Sequence, residues 1–222
     1  ADDPQNKLAL RKLAEFYKNS NNDKVWELYE KIVKLDFEEA DIAKILADRY
    51  ESQGNAEAAL NYYKKAIQRY VALKNINSVK SIWSILVEKT PEEIDFFLSV
   101  QRKVAKTISA DKSALLLQEL YTYYKDTAKW DTAISILKII LEIDSKDADA
   151  RREIAECFRG KYSDRAHLED YIRSSNLTMS VRNVFEAIND FEKHIAFDAK
   201  NYVYHRTWGV GMITKVEGDN LV

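Results

Sequence analysis

Residues 46–66 read LADRYESQGNAEAALNYYKKA. Leu46, Ala47 and Tyr50 lie on one helical face, and Ala59, Tyr63 and Ala66 lie on one face of a second helix after a turn. In a 34-residue frame they occupy positions 7, 8, 11, 20, 24 and 27. Small residues at Ala47 and Ala59 let two helices cross closely, while Tyr50 and Tyr63 fill the groove beside them. Gly54-Asn55 ends the first helix, since glycine accepts the positive φ of a helix C-terminus. The second helix is predicted to run from Ala56 to about Leu73.

The same frame recurs on either side. Leu10, Leu13, Ala14 and Tyr17 precede a polar turn, Asn19-Ser20-Asn21-Asn22-Asp23, and then Val25, Tyr29 and Ile32, one residue short of register. Asp23 is the expected cap of that second helix. Further on, Leu120, Tyr121, Tyr124, Ala133, Leu137 and Ile140 restate the pattern, and Ile154, Ala155 and Phe158 continue it 34 residues later. In the middle, Val79, Trp83 and Leu86 fit the second-helix positions, but no clean first helix precedes them. Thr90-Pro91-Glu92-Glu93 reads as a helix start, with Thr90 as cap and Pro91 at the first helical position. The repeat register is not legible between residues 74 and 112.

This pattern resembles the tetratricopeptide repeat, which implies a right-handed α-solenoid of helical hairpins, a mainly all-α fold. The resemblance covers residues 1–160. After Gly160 the period lapses. Residues 161–200 read as two capping helices, one around Leu168, Tyr171 and Ile172 and one around Val184, Ile188, Phe191 and Ile195. Residues 201–222 alternate like strands, with Glu217-Gly218-Asp219-Asn220 as a hairpin turn, and read as the start of an incomplete small β element.

Composition agrees. The 222 residues include only 5 Gly and 2 Pro, too few for a turn-rich β fold. The net charge of −2 provides no global field for nucleic acid. A single cysteine, Cys157, rules out an internal disulfide framework and reads as a core residue. No apolar run is long enough to span a bilayer, and no signal peptide is evident, so a cytoplasmic setting is expected. The chain starts at Ala1 and stops within a strand-like stretch at Val222, so it reads as a piece of a longer protein.

Catalytic signatures are missing. His167, His194 and His205 are scattered, and no metal-ligand spacing or phosphate loop occurs. Glu38-Glu39 and Glu92-Glu93 sit at helix starts, where they offset the helix dipole. The expectation is a non-enzyme without cofactor, small-molecule substrate or membrane contact. The first helices would form an inner face whose positions 5 and 9 carry Lys44 and Asp48, Gln118 and Thr122, and Arg152 and Glu156. These six are candidate protein-binding residues. Acids or neutral groups stand where some repeat domains place the Asn of a carboxylate clamp, so that clamp is not expected. Tyr62, Tyr70 and Tyr123 fall off the main apolar positions and are expected to be exposed.

One further motif stands outside the helices. Val203, His205, Trp208, Gly209, Gly211 and Ile213 form a V-x-H-x-x-W-G-V-G-x-I arrangement, a strand, a glycine bend and a strand, with Trp208 as an apolar plug. It resembles the start of Tudor-like or SH3-like barrels that dock on bacterial RNA polymerase, such as the CarD family, the polymerase-interaction domain of the transcription-repair coupling factor and the tail of UvrD-type helicases. Together with the helical repeats, it is similar to the N-terminal extension of unusually long GreA-type transcription elongation factors. The resemblance implies a non-catalytic scaffold that contacts RNA polymerase or an associated protein, with His205 and Trp208 at the contact and no direct nucleic-acid binding. The acidic-tipped coiled coil of GreA factors is not found in these residues, so cleavage stimulation is not implied. A general peptide-binding adaptor and an RNA-binding helical repeat are the alternatives.

Overall fold

The computed structural model describes residues 6–217, 220 and 221, with side chains through residue 215. Among them are eleven helices: α1 Lys7–Asn19, α2 Lys24–Leu35, α3 Ala40–Ser52, α4 Ala56–Ala72, α5 Ile76–Lys89, α6 Ile94–Thr107, α7 Ala110–Asp126, α8 Trp130–Ile143, α9 Ala148–Lys161, α10 Leu168–Ser175 and α11 Val184–Ala196. Four short strands follow: β1 Tyr202–His205, β2 Gly209–Met212, β3 Val216–Glu217 and β4 Asn220–Leu221. As the periodicity predicts, the protein is mainly α-helical and built from helical hairpins. It divides into two compact units, one ending at Leu120 and one starting at Tyr121, with the division inside α7.

Four hairpin turns share one backbone device. Asn21, Gly54, Lys74 and Ala128 all take positive φ. In each case the N–H of the next residue donates back to a tyrosine carbonyl: Asn22 to Tyr17, Asn55 to Tyr50, Asn75 to Tyr70 and Lys129 to Tyr124, each at 2.9 Å. This closure satisfies a carbonyl that the helix end leaves open. Asn55 and Asn75 then cap the following helices through their side chains, accepting from the Ala58 and Ser78 N–H groups. In the first turn the equivalent residue, Asn22, accepts from Lys24 N–H. Asp23 makes no side-chain cap.

Ala128 and Lys74 occupy a conformation that costs an ordinary residue about 1–2 kcal/mol. Part of any gain from glycine is lost to the freer unfolded chain. Ala128→Gly should therefore raise stability by roughly 0.5–1 kcal/mol, read as a thermal midpoint higher by a few degrees. A lower midpoint would contradict the positive φ at this turn.

The turn at Lys74 resolves the missing first helix. Ala66, Ile67 and Tyr70 stand in the 7, 8 and 11 positions relative to Val79, Trp83 and Leu86. Helix α4 is thus the second helix of the α3–α4 hairpin and the first helix of the α4–α5 hairpin, and it packs on α3, α5 and α6. Its buried residues cover a little more than half of its circumference: Ala59, Tyr62, Tyr63, Ala66, Ile67, Arg69, Tyr70 and Val71. Tyr62 and Tyr70 are therefore buried, against expectation, and Tyr123 is half-buried. Tyr62 stacks on Tyr50, ring centroids 5.6 Å apart.

The helix expected from Pro91 begins instead at Ile94. Thr90 closes α5, its hydroxyl donating to the Leu86 carbonyl, and the Ile94 N–H donates to Glu92 across a tight turn at Pro91-Glu92. The same geometry links α2 to α3, where Ala40 N–H donates to Glu38.

The second unit packs α8 on α9 and α10 on α11. Phe158 of α9 stacks on Phe191 of α11, centroids 4.2 Å apart. Helix α9 ends at Lys161, one residue past Gly160, where a Cβ would fall 2.5 Å from the Trp130 ring, so the glycine makes room for the indole. Val216 pairs with Leu221 and Glu217 with Asn220 in the second small ladder. The expected turn residues Gly218 and Asp219, and Val222, lie outside the described residues.

Candidate functional site

The six polar positions expected on the first helices are exposed or half-buried. Lys44 Nζ lies 2.7 Å from Asp48 Oδ2, and Asp48 also accepts from the Tyr63 hydroxyl at 2.8 Å. On α9, Arg152 pairs with Asp149 and Glu156 with Arg159. Gln118 and Thr122 are exposed on α7. Sequence reasoning treated the acids as groove-facing groups. The structure gives one of them, Asp48, a second task as acceptor for the buried Tyr63, and acids outside that set serve other tyrosine hydroxyls in the same way. Tyr50 donates to Glu30, Tyr70 to Asp41 and Tyr121 to Glu153. The bond to Glu30, with burial, pushes Tyr50 up to about 12. Each such tyrosine fills a crossing with its ring and satisfies its hydroxyl at the rim.

The strand hairpin is the more distinctive surface. β1 and β2 pair antiparallel, with Tyr202 opposite Met212 and Tyr204 opposite Val210. Alternation places these four on one face. All are exposed, and Trp208 at the tip is 83% exposed. Trp208 is therefore not the plug that the sequence suggests. Its indole stacks on the His205 ring, centroids 4.2 Å apart. Thr207 N–H donates to His205 Nδ1, which fixes the ring facing the bend. Gly209 adopts φ +76° and makes that bend possible.

The root of the hairpin is held firmly. Ile213 is buried, and its backbone exchanges bonds with Lys200 (2.7 Å) and Asn201 (2.8 Å). The Asn201 side chain donates to the Ile195 carbonyl at the end of α11. Arg165 donates to the Ala199 carbonyl, and Tyr171 donates to the buried carboxylate of Asp198. A fixed root thus carries an exposed aromatic and aliphatic face. Sequence reasoning found the motif but missed Tyr202, Tyr204, Val210 and Met212 as its exposed face. The alternation was visible, but only the burial of Ile213 shows which side is covered.

Among the described residues no group of three or more His, Cys, Asp or Glu residues could hold a metal. Cys157 is buried, and burial pushes its thiol up. No helix of the described residues is long and apolar enough to cross a membrane.

No protein-family model matches the chain. Over 218 residues, 98% of the chain, it is 48% identical to a protein of Treponema pallidum (strain Nichols) named for GreA-associated domains. Over the same length it is 32% identical to a Borreliella burgdorferi protein named transcription elongation factor GreA. The chain spans 33% and 24% of the lengths of these two relatives. Among solved structures, the crystal structure of MamA protein aligns with 85% of this chain and 93% of that one, at 16% identity and a TM-score of 0.35. The fold assignment rests on the helices themselves rather than on that likeness.

Proposed function

We propose that this chain is a non-catalytic protein-interaction scaffold within a bacterial transcription elongation protein, and that it contacts RNA polymerase or a factor bound to it in the cytoplasm. The observation that carries this reading is the similarity across 98% of the chain to proteins named for GreA. On this reading residues 1–160 form the repeat scaffold, residues 161–200 cap it, and residues 201–222 dock as part of a CarD-like β element. The face around His205 and Trp208 makes the polymerase contact. Lys44, Asp48, Gln118, Thr122, Arg152 and Glu156 contact mixed-charge segments of a partner, without direct binding of nucleic acid.

The test is co-elution of the chain with purified bacterial RNA polymerase. Trp208→Ala should weaken binding by roughly 10- to 30-fold, as expected for an exposed aromatic anchor, with unchanged helical circular dichroism. Binding unaffected by Trp208→Ala would remove the docking role. No binding by the parent would favour a general peptide adaptor.

A further inference from the structure

Helices α2, α4 and α6 of the first unit enclose an open cavity of about 570 Å³. Its lining contains Lys34, Lys65, Arg69 and Lys103, and no carboxylate. Lys34 and Lys103 are exposed and Lys65 is half-buried, and none of the three pairs with a carboxylate among the described residues. Lys65 instead sits over the Tyr62 ring, 4.8 Å from its centroid.

Arg69 is only 8% exposed, and its guanidinium donates to two main-chain carbonyls, Val33 at 2.7 Å and Glu39 at 2.9 Å. Carbonyls satisfy the donors without neutralising the charge. The nearest acids are already engaged, because Arg11 pairs with both Asp36 and Glu39 and Lys7 pairs with Asp36. The cavity therefore holds an excess of positive charge in a chain whose net charge is negative. The rest of the lining is Gln68, Thr107 and an apolar side. Phe37, 79% exposed, stands beside Arg69, and Val33, Val71 and Ala72 complete that side.

We propose that this cavity binds an acidic peptide segment of a partner protein, with carboxylates paired by Lys34, Lys65 and Lys103 and an apolar side chain seated against Phe37 and Val71. A single-stranded nucleic acid would need a row of stacking platforms along a basic track. The cavity offers one exposed aromatic ring and a short apolar side instead. The site lies on α2, α4 and α6, apart from Lys44 and Asp48 of α3. It rests on the scaffold reading above, but not on the identity of the polymerase.

The experiment measures fluorescence anisotropy of a labelled acidic hexapeptide, Asp-Glu-Leu-Glu-Phe-Asp, with the whole chain. The comparison probes are the same peptide with Lys for each acid, and a twelve-residue oligouridine. Saturable binding of the acidic peptide is expected, weakening about tenfold between about 50 and 300 mM salt. The Lys65→Glu/Lys103→Glu double variant should lose at least about tenfold with an unchanged thermal melt, and the Lys65→Gln/Lys103→Gln pair should lose less. Phe37→Ser should weaken this peptide but leave a version with Gly at the Leu and Phe positions unaffected.

Absence of saturable binding would overturn the proposal. So would equal binding by the double variant, or tighter binding of oligouridine. Displacement of the peptide by an equal concentration of sodium sulfate would reduce the site to a simple anion cluster. If the double variant still co-elutes with RNA polymerase while the parent chain fails to bind the peptide, this inference fails and the scaffold reading stands.

Discussion

Ala66→Leu should cost the first unit about 2–3 kcal/mol, whereas Ala59→Leu should cost about 1 kcal/mol or less. Both alanines are small residues of α4, and both are buried. Ala59 borders a void of about 270 Å³ that it shares with Leu60 and Lys89, so an added isobutyl group has somewhere to go. Ala66 is fully buried and stands at the crossing positions of both the α3–α4 and the α4–α5 hairpins. A leucine there pushes on two partners at once, and close-packed interiors give way only partly. Chemical denaturation of the two variants reads the difference directly as a shift in midpoint at constant slope. Equal shifts would mean that α4 does not serve both hairpins.

Arg151→Met should cost about 3 kcal/mol, one of the largest single-residue losses in the second unit. Arg151 is 2% exposed, and no carboxylate among the described residues forms an ion pair with it. Its guanidinium donates to the carbonyls of Ser145 (2.7 Å and 2.9 Å), Met179 (2.7 Å) and Arg182 (2.9 Å). It therefore ties α9 both to the turn before it and to the connection between α10 and α11. Methionine matches much of the volume but leaves those carbonyls without their donors. Arg151→Lys should cost less, about 1–2 kcal/mol, because an ammonium reaches only part of the set. Thermal unfolding measures the loss. Hydrogen exchange should show the connection around residues 176–183 opening first. A methionine variant as stable as the parent would mean that water replaces the guanidinium at every carbonyl.

Much of the fold is legible in the sequence because helical crossings demand small residues at fixed spacing. Ala47, Ala59, Ala66 and Ala133 are all buried where the frame puts them. Tyr50 and Tyr124 are each the third residue from a helix end, where the turns close on their carbonyls. What escaped was shared use. Reading forward from Val79, one looks for a new first helix and passes over Ala66, Ile67 and Tyr70, already assigned to the previous hairpin. The burial of Tyr62 and Tyr70 escaped for the same reason, since a helix with two covered faces loses the single stripe by which sequence patterns are judged. Pro91 fits a helix start and a turn equally well, and the Thr90 hydroxyl bond decided for the turn.

The candidate surfaces were less legible. Trp208 reads as a core residue by type, and only the exposed hairpin shows it outside. The basic cavity draws Lys34, Lys65 and Lys103 from three helices, each at a position that looks like ordinary solvated surface. Nothing in their spacing along the chain marks them as a set.

The double duty of α4 also bears on how this protein could be rearranged. A repeat array in which every hairpin owns both of its helices can lose or duplicate one unit by a clean cut at a turn. Here a cut at Asn55 or at Asn75 takes from one hairpin the helix that the other needs. Helices α3, α4 and α5 would therefore have to move together. Helices α3 and α5, on either side of the shared helix, should exchange their amides as one cooperative block rather than fraying in turn.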